Sequence, residues 1–271
     1  MMLSWLALAS LVFTDPAGDA NGTGTLTPPT AAVYADLGEL DLREVQVTTG
    51  SPAYMRLRLA SVSNAANLPD GITLPVADVY FDLAPGGETQ SLPGPSLRFA
   101  ETDAWEWAVR VHGDGSTGVT HEGEPFGVTM QVEGDDVWLR INRSLDRLPR
   151  GVTVLVGLYD PFARDNWRGL QSQASAWSFS GPSDVPPVMD LLAPNADAQS
   201  RALVQREAYM AGSSRGQRVW WGVTWAGLIL FAVSVMLRIL KPGWVHPRKA
   251  RALPLLDEDD LVGTHTAPDH H

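Results

Sequence analysis

Two groups of residues in this sequence have the types and spacing to do chemistry. Asp15 and Asp19 bracket a tight loop, Asp15-Pro16-Ala17-Gly18-Asp19, and Asp82 approaches from the end of a strand. Hard cations take several oxygens from carboxylates, carbonyls and water, so calcium is the cofactor this set would hold. The competing reading is an Asx-type turn, in which the same carboxylates accept hydrogen bonds from nearby backbone N–H groups. The second group is Asp165-Asn166-Trp167-Arg168. An indole in a polar loop, beside a carboxylate, an amide and a guanidinium, suits a sugar, whose apolar C–H face is ringed by hydroxyls. Trp138, on the polar face of its strand, is a further candidate platform. Trp105, Trp107 and Trp177 fit the core or its rim.

Other chemistries are poorly supplied. His112 and His121 are the only histidines in the first 218 residues, with Met55 and Met130 in strands. A haem with axial Met and His is therefore conceivable, but exposed surface histidines account for the same residues. The carboxylate pairs Glu101/Asp103, Glu122/Glu124 and Asp135/Asp136 fall in loops, and neighbours in sequence are not a spatial acid–base pair. No nucleophile elbow and no phosphate-binding glycine loop occurs. Cysteine is absent, which removes disulfides, thiolate zinc sites and cysteine nucleophiles. The expectation is a protein that is not an enzyme. The net charge of −11 argues against nucleic acid as a partner, since that needs a basic surface.

The elements that must position these residues are strands. Arg43–Thr49 and Tyr54–Ala60 alternate and are split by Gly50-Ser51-Pro52. Val76–Leu83 and Val152–Tyr159 are continuously apolar, as inner strands are. Trp105–His112 alternates, with Trp105, Trp107, Val109 and Val111 on one face. Phe126–Val132 and Asp136–Asn142 flank Glu133-Gly134-Asp135, a hairpin signal with glycine at the turn. Gly113–Gly118 is a hairpin-like turn, and Ala174–Ser180 completes the set. Seven to nine short strands without intervening helices predict an all-β protein, an antiparallel β-sandwich of immunoglobulin-like layering. A helix is expected over Ala196–Met210, with Asn195 as its N-cap.

Val219–Leu237 is uncharged, lacks proline and would span roughly 30 Å as a helix, the thickness of a bilayer core. Trp220, Trp221 and Trp225 stand at its first turns, where indoles favour the headgroup level. One transmembrane helix is predicted here, with the membrane as a partner. The denser basic cluster follows the span, which puts the tail on the cytoplasmic side and the sandwich outside. The resulting organisation is a short apolar segment at 1–13, a first strand or a degenerate signal peptide; the sandwich at 14–195; a helix and juxtamembrane linker at 196–218; the span at 219–237; and a disordered tail at 238–271. Residues 2–13 have no basic residue before them, so they make an atypical export signal.

A set of motifs in fixed order carries a family resemblance. It begins with Asp15-Pro16-Ala17-Gly18-Asp19, Gly22, Gly24 and Pro29-Thr30. It continues through Val79-Tyr80-Phe81-Asp82-Leu83-Ala84-Pro85-Gly86-Gly87, Leu92-Pro93-Gly94 and Trp105-Glu106-Trp107-Ala108, and closes with Val188–Pro194. Over roughly residues 12–205 the sequence resembles the C-terminal domain of glucodextranases, with similar domains in amylopullulanases. The resemblance implies a DOMON-like β-sandwich, similar to family-nine carbohydrate-binding modules, that binds or attaches to a surface and does not catalyse. Relatives often carry a second Asp after the Gly-Asp step, where this sequence has Ala20, which weakens the calcium inference. The function expected is a membrane-anchored, extracytoplasmic binding module for carbohydrate or a cell-envelope polymer. The alternative is a scaffold for a secreted enzyme or envelope proteins, and a haem electron-transfer domain comes third.

Overall fold

Strands form where β-branched and aromatic residues alternate with polar ones between glycine and proline stops. The computed structural model describes residues 9–212. In chain order its elements are β1 (Ser10–Thr14), β2 (Leu42–Thr48), β3 (Ala53–Leu59), β4 (Pro75–Asp82), β5 (Arg98–Phe99), β6 (Trp107–His112), β7 (Gly115–Thr120), β8 (Pro125–Phe126), β9 (Val128–Glu133), β10 (Asp136–Ile141), β11 (Gly151–Leu158), β12 (Asp190–Leu191), the helix α1 (Ala196–Gln205) and β13 (Glu207–Ala208). One antiparallel sheet runs β1-β2-β3-β10-β9, the other β12-β11-β4-β6-β7-β8. The small β13 pairs in parallel with β5.

The two sheets face each other across one apolar core, the arrangement of a β-sandwich. In the first sheet Val47, Met55 and Leu139 stand in register, as do Val45, Leu57 and Val137. All six are buried. Opposite them lie Val79 and Phe81 of β4, Val109 and Val111 of β6, and Val152, Val154 and Val156 of β11. Period-two alternation therefore buries one face of the first sheet and leaves the other to Glu44, Arg56, Arg58 and Asp136, which form cross-strand ion pairs.

The second sheet is covered on both faces. Its outer side packs Val76, Tyr80 and Leu155 against Trp167 from the loop after β11, Leu191 of β12, and Leu203 and Met210 from α1 and the segment that follows it. This is why every residue of β4 and β11 is buried and why both read as continuous apolar runs.

Several boundaries depart from the sequence reading. Trp105 does not share a face with Trp107: the chain bends at Glu106, whose carboxylate accepts hydrogen bonds from the Leu83 and Ala84 N–H groups. Trp105 turns to the outer cluster and Trp107 to the inner one. The expected strand over Phe126–Val132 is cut at Gly127, where β8 of one sheet gives way to β9 of the other. Ala174–Ser180 forms no strand. The Ser175 hydroxyl accepts from the Trp177 and Ser178 N–H groups, a local turn that competes with extended pairing. Asn195 does cap α1, its Oδ1 accepting from the Ala198 N–H at 2.9 Å. The helix stops at Gln205 because Arg206 takes a left-handed conformation, and the chain then joins β5. Among the described residues no helix is long and apolar enough to cross a membrane. The predicted span at 219–237, the tail and most of the 1–13 segment lie outside the described residues.

Candidate metal centre and ligand cleft

The end of β1 delivers Asp15, whose N–H still reaches the Arg43 carbonyl as a continuation of the ladder. The following loop turns at Gly18, in a positive-φ conformation, and brings Asp19 back toward Asp15. Gly22 completes the turn. Its N–H donates to the Met189 carbonyl, and a Cβ there would come within 2.9 Å of the Val188 carbonyl oxygen, so only glycine fits. Opposite this loop β12 presents Asp190. Ligand oxygens of Asp15, Asp19 and Asp190 lie within 4.8 Å of one another.

Asp41, just before β2, is a fourth carboxylate in the same neighbourhood. It accepts from the Gly18 N–H at 3.0 Å and pairs with Arg43 at 2.8 Å. Gln199, buried on α1, ties the loop to β12: its Nε2 donates to the Asp19 carbonyl at 2.6 Å, and its Oε1 accepts from the Leu191 N–H at 2.8 Å.

Some oxygens here are employed and others are not. Asp190 accepts from the Leu42 and Leu191 N–H groups, and Asp15 Oδ1 from the Ala193 N–H. Asp15 Oδ2, both Asp19 oxygens and Asp41 Oδ1 are buried without a hydrogen-bond partner. Burial, reinforced by Asp190, pushes the Asp15 carboxyl up to about 10. Burial also raises Asp19 to about 6, helped by Asp41 and opposed by its own backbone and Arg43. Asp190 is held well above the ordinary carboxylate range by burial and then by Asp19. Like charges in so dry a space need protons or a cation to neutralise them. Three carboxylates with ligand oxygens within 4.8 Å of one another, two of them with oxygens that have no hydrogen-bond partner, suit a hard divalent ion, whose bonds to oxygen are about 2.4 Å.

Asp82 is not part of this group. It stands at the other end of the second sheet, beside Asp103 and Glu106, so the expected trio Asp15, Asp19 and Asp82 is corrected to Asp15, Asp19 and Asp190. Ala20, where relatives often carry the second Asp, is buried in the sandwich core.

A cleft of about 530 Å³ opens where the turn at 31–34, the loop at 65–74 and the segment after β11 meet. Its walls include Tyr34, Leu68, Leu74, Tyr159, Arg168 and Trp177. Trp177 is 61% exposed and meets Tyr34 edge-on at 6.3 Å between ring centroids. Arg168 holds both in place, its Nη1 donating to the Tyr34 hydroxyl at 2.7 Å and to the Trp177 carbonyl at 2.6 Å. Tyr159 stacks on His112 with rings 4.7 Å apart and hydrogen-bonds Asp114.

Of the five predicted ligand residues, only Arg168 lines this cleft. Trp167 is 3% exposed and lies beneath it in the outer core, which corrects its assignment as a platform. Its ring fills the space left by Gly94 and Gly157, where a Cβ would come within 2.5 and 2.1 Å of it. Asp165 and Asn166 shape the loop. The Asp165 carbonyl accepts from Arg110, its Oδ1 accepts from the Trp167 N–H, and Asn166 takes a positive φ. Trp138 is half-buried on the outer face of the first sheet beneath the Arg56 guanidinium. Met55 is buried in the sandwich core and His112 is stacked on Tyr159, so the two do not face a shared haem pocket.

Asp41, Asp190, Gln199, Tyr34 and Tyr159 were not singled out from sequence. The one available signal was a lone carboxylate inside an apolar run, at Asp190 within Val188–Leu192 and at Asp41 between Leu40 and Leu42.

The fold is thus a two-sheet antiparallel β-sandwich with a buried carboxylate cluster and an aromatic-walled cleft. Over residues 11–213 the chain matches the C-terminal, SLH-like binding module of glucodextranase, and it belongs to that family. No curated protein sequence matches the chain at a significant level.

Proposed function

We propose that this chain is a membrane-anchored, extracytoplasmic and non-catalytic module that binds carbohydrate or a cell-envelope polymer. The cleft at Trp177 is its ligand site, and Asp15, Asp19 and Asp190 hold a structural calcium ion. The observation that carries this reading is Trp177, a large indole left exposed at an apolar cleft, its ring edge-on to Tyr34 and its backbone carbonyl bonded by Arg168. A rigid aromatic face costs little entropy to present, and sugar C–H faces stack on it. Arg168 and the Tyr34 hydroxyl supply polar contacts at its edge. Family membership supports the binding role, and the uncharged stretch at 219–237 supports the anchor.

The calcium assignment rests on the unpartnered oxygens. The ion would tie the β1 exit to β12, closing the sandwich beside α1. No acid–base step is assigned to these carboxylates; gathered like charges suit a cation better than a reacting bond.

The test uses the full-length protein in detergent against a panel of α-glucans and wall polysaccharides, with and without calcium. Trp177→Ala should weaken binding by about tenfold, roughly 1.4 kcal/mol. Absence of binding across the panel, or a Trp177→Ala variant that binds as well as the parent, sinks the proposal. A stoichiometric protein partner that survives glycan competition would favour the scaffold reading instead.

A further inference from the structure

The chain leaves the sandwich at a fixed point. Ala211 bridges Val152 at the start of β11, its N–H donating to the Val152 carbonyl at 2.8 Å and its carbonyl accepting from the Val152 N–H at 2.9 Å. Gly212 follows with a positive φ, and a Cβ there would stand 3.0 Å from Cζ of Phe13 on β1. Gly212 lines a groove of about 450 Å³ together with Leu11, Val12, Phe13, Leu148 and Arg150.

This groove is apolar at its centre and basic at its rim. β1 is the outermost strand of the first sheet, and its sequence Ser-Leu-Val-Phe-Thr carries no charge and no proline. Edge strands that face water are ordinarily blunted by such residues or covered. Val12 is nevertheless 49% exposed, and Leu11, Phe13 and Leu148 are only half-buried. The loop at 143–150 carries three arginines against Asp146, in a chain whose net charge is −11. Arg147 and Arg150 are both exposed. Each is steadied by one contact, Arg147 Nη2 donating to the Leu83 carbonyl and Arg150 Nη1 standing 3.3 Å from Asp82 Oδ1.

Two lengths decide what covers the groove. Seven residue steps separate Gly212 from Val219, where the uncharged stretch begins. Fully extended, such a segment reaches at most about 24 Å. β11, with eight residues, is about 27 Å long. Arg150 precedes β11 at the groove, and Tyr159 follows it in the cleft of Trp177. On the membrane-anchored reading, which this inference rests on, the groove must stand within one strand length of the bilayer, and the ligand cleft lies at the opposite end of β11. Apolar side chains flanked by guanidinium groups match a lipid–water interface, where the first enter the acyl boundary and the second meet headgroup phosphates.

We propose that Leu11, Val12, Phe13 and Leu148, rimmed by Arg147 and Arg150, form a lipid-binding face that seats the sandwich on the outer surface of the membrane. Val12 and Leu148 enter the acyl boundary, the two arginines pair with anionic headgroups, and the Trp177 cleft is held away from the bilayer.

Full-length protein reconstituted into vesicles of phosphatidylcholine and phosphatidylglycerol tests this. The chain has no cysteine, so Val12→Cys takes a single polarity-sensitive fluorophore. Phe162→Cys, at an exposed position beside the cleft, is the reference. Emission from Val12→Cys should be blue-shifted and quenched severalfold by lipids brominated at the upper acyl carbons, and Phe162→Cys should show neither effect. Omitting phosphatidylglycerol, or adding Arg147→Glu, should weaken the quenching; quenching indifferent to both overturns the headgroup contact. Should Val12→Cys fail to fold, Leu148→Cys serves. A label that stays unquenched, in protein that the vesicles retain through alkaline carbonate, overturns the lipid face and leaves the anchor standing. Release by carbonate removes the anchor and the lipid face together. A label shielded from aqueous iodide yet unquenched by bromolipid means that a second copy of the chain covers the groove, which also overturns the proposal.

Discussion

At the scale of single residues, Asp19 is the most informative position. Neither of its oxygens has a hydrogen-bond partner, and burial raises its carboxyl to about 6, while Asp15 is raised to about 10. Both lie above the ordinary value of 3.8, so without calcium the folded state keeps protons that the unfolded chain has already released. Stability contributed by these groups is present below about pH 4 and is lost as pH rises through about 6 and on toward about 10. The groups facing them are Asp41, Asp190, Arg43 and Tyr209, and Arg43 is the only cation in that set. On the proposed calcium assignment, the ion takes the place of the protons. The stabilisation on adding calcium, read as a rise in Tm, should therefore grow between about pH 5 and about pH 8, reaching about 2.7 kcal/mol at a hundredfold excess over Kd. Asp19→Asn should remove most of that dependence and leave the calcium-free protein at least as stable as the parent at neutral pH. Thermal unfolding across pH, with and without calcium, checks both. A Tm that rises with pH in chelator would contradict the assignment.

At the scale of elements, the same strands that were legible from alternation decide which aromatics are free. β2, β3, β10 and the hairpin at Gly134 follow their sequence patterns because one face is buried and the other is wet. Trp167 and Trp177 were not separable that way. Both lie in polar stretches, but Gly157 of β11 leaves a space under Trp167, and the Ser175 turn aims Trp177 outward. Gly157→Ala should drive a methyl into the Trp167 ring, whose Cζ3 is 2.1 Å from the ideal Cβ position, and cost about 1–3 kcal/mol. A lowered Tm with red-shifted tryptophan emission is the expected result. A variant with parental Tm and emission would mean that Trp167 does not fill this space. The buried pair of Asp78 and Arg110 belongs to the same layer. Its bidentate contacts at 2.6 Å, with Arg110 also donating to the Pro93 and Asp165 carbonyls, fasten two long loops over the second sheet.

At the scale of the whole molecule, the proposed topology places the sandwich outside the membrane and the tail at 238–271 inside. Protease added to intact cells should remove an epitope within residues 14–210 and spare one in the tail. The opposite pattern would end the extracytoplasmic reading whatever the ligand. The sequence by itself determined the all-β class, the inner character of β4 and β11, the N-cap of α1 and the loop that carries Asp15 and Asp19. These are local properties: periodicity, propensity and turn chemistry act over a few residues. Only the tertiary structure decided that Asp190, far along the chain, completes the carboxylate cluster with Asp15 and Asp19, and that Asp82 lies outside it. It also decided that Trp177 rather than Trp167 faces the cleft. Each of these outcomes depends on which distant segments a strand register brings together and on how much water is left between them. Neither quantity is written in any short stretch of sequence, because charge repulsion, burial and ring packing arise only once the sheets have closed.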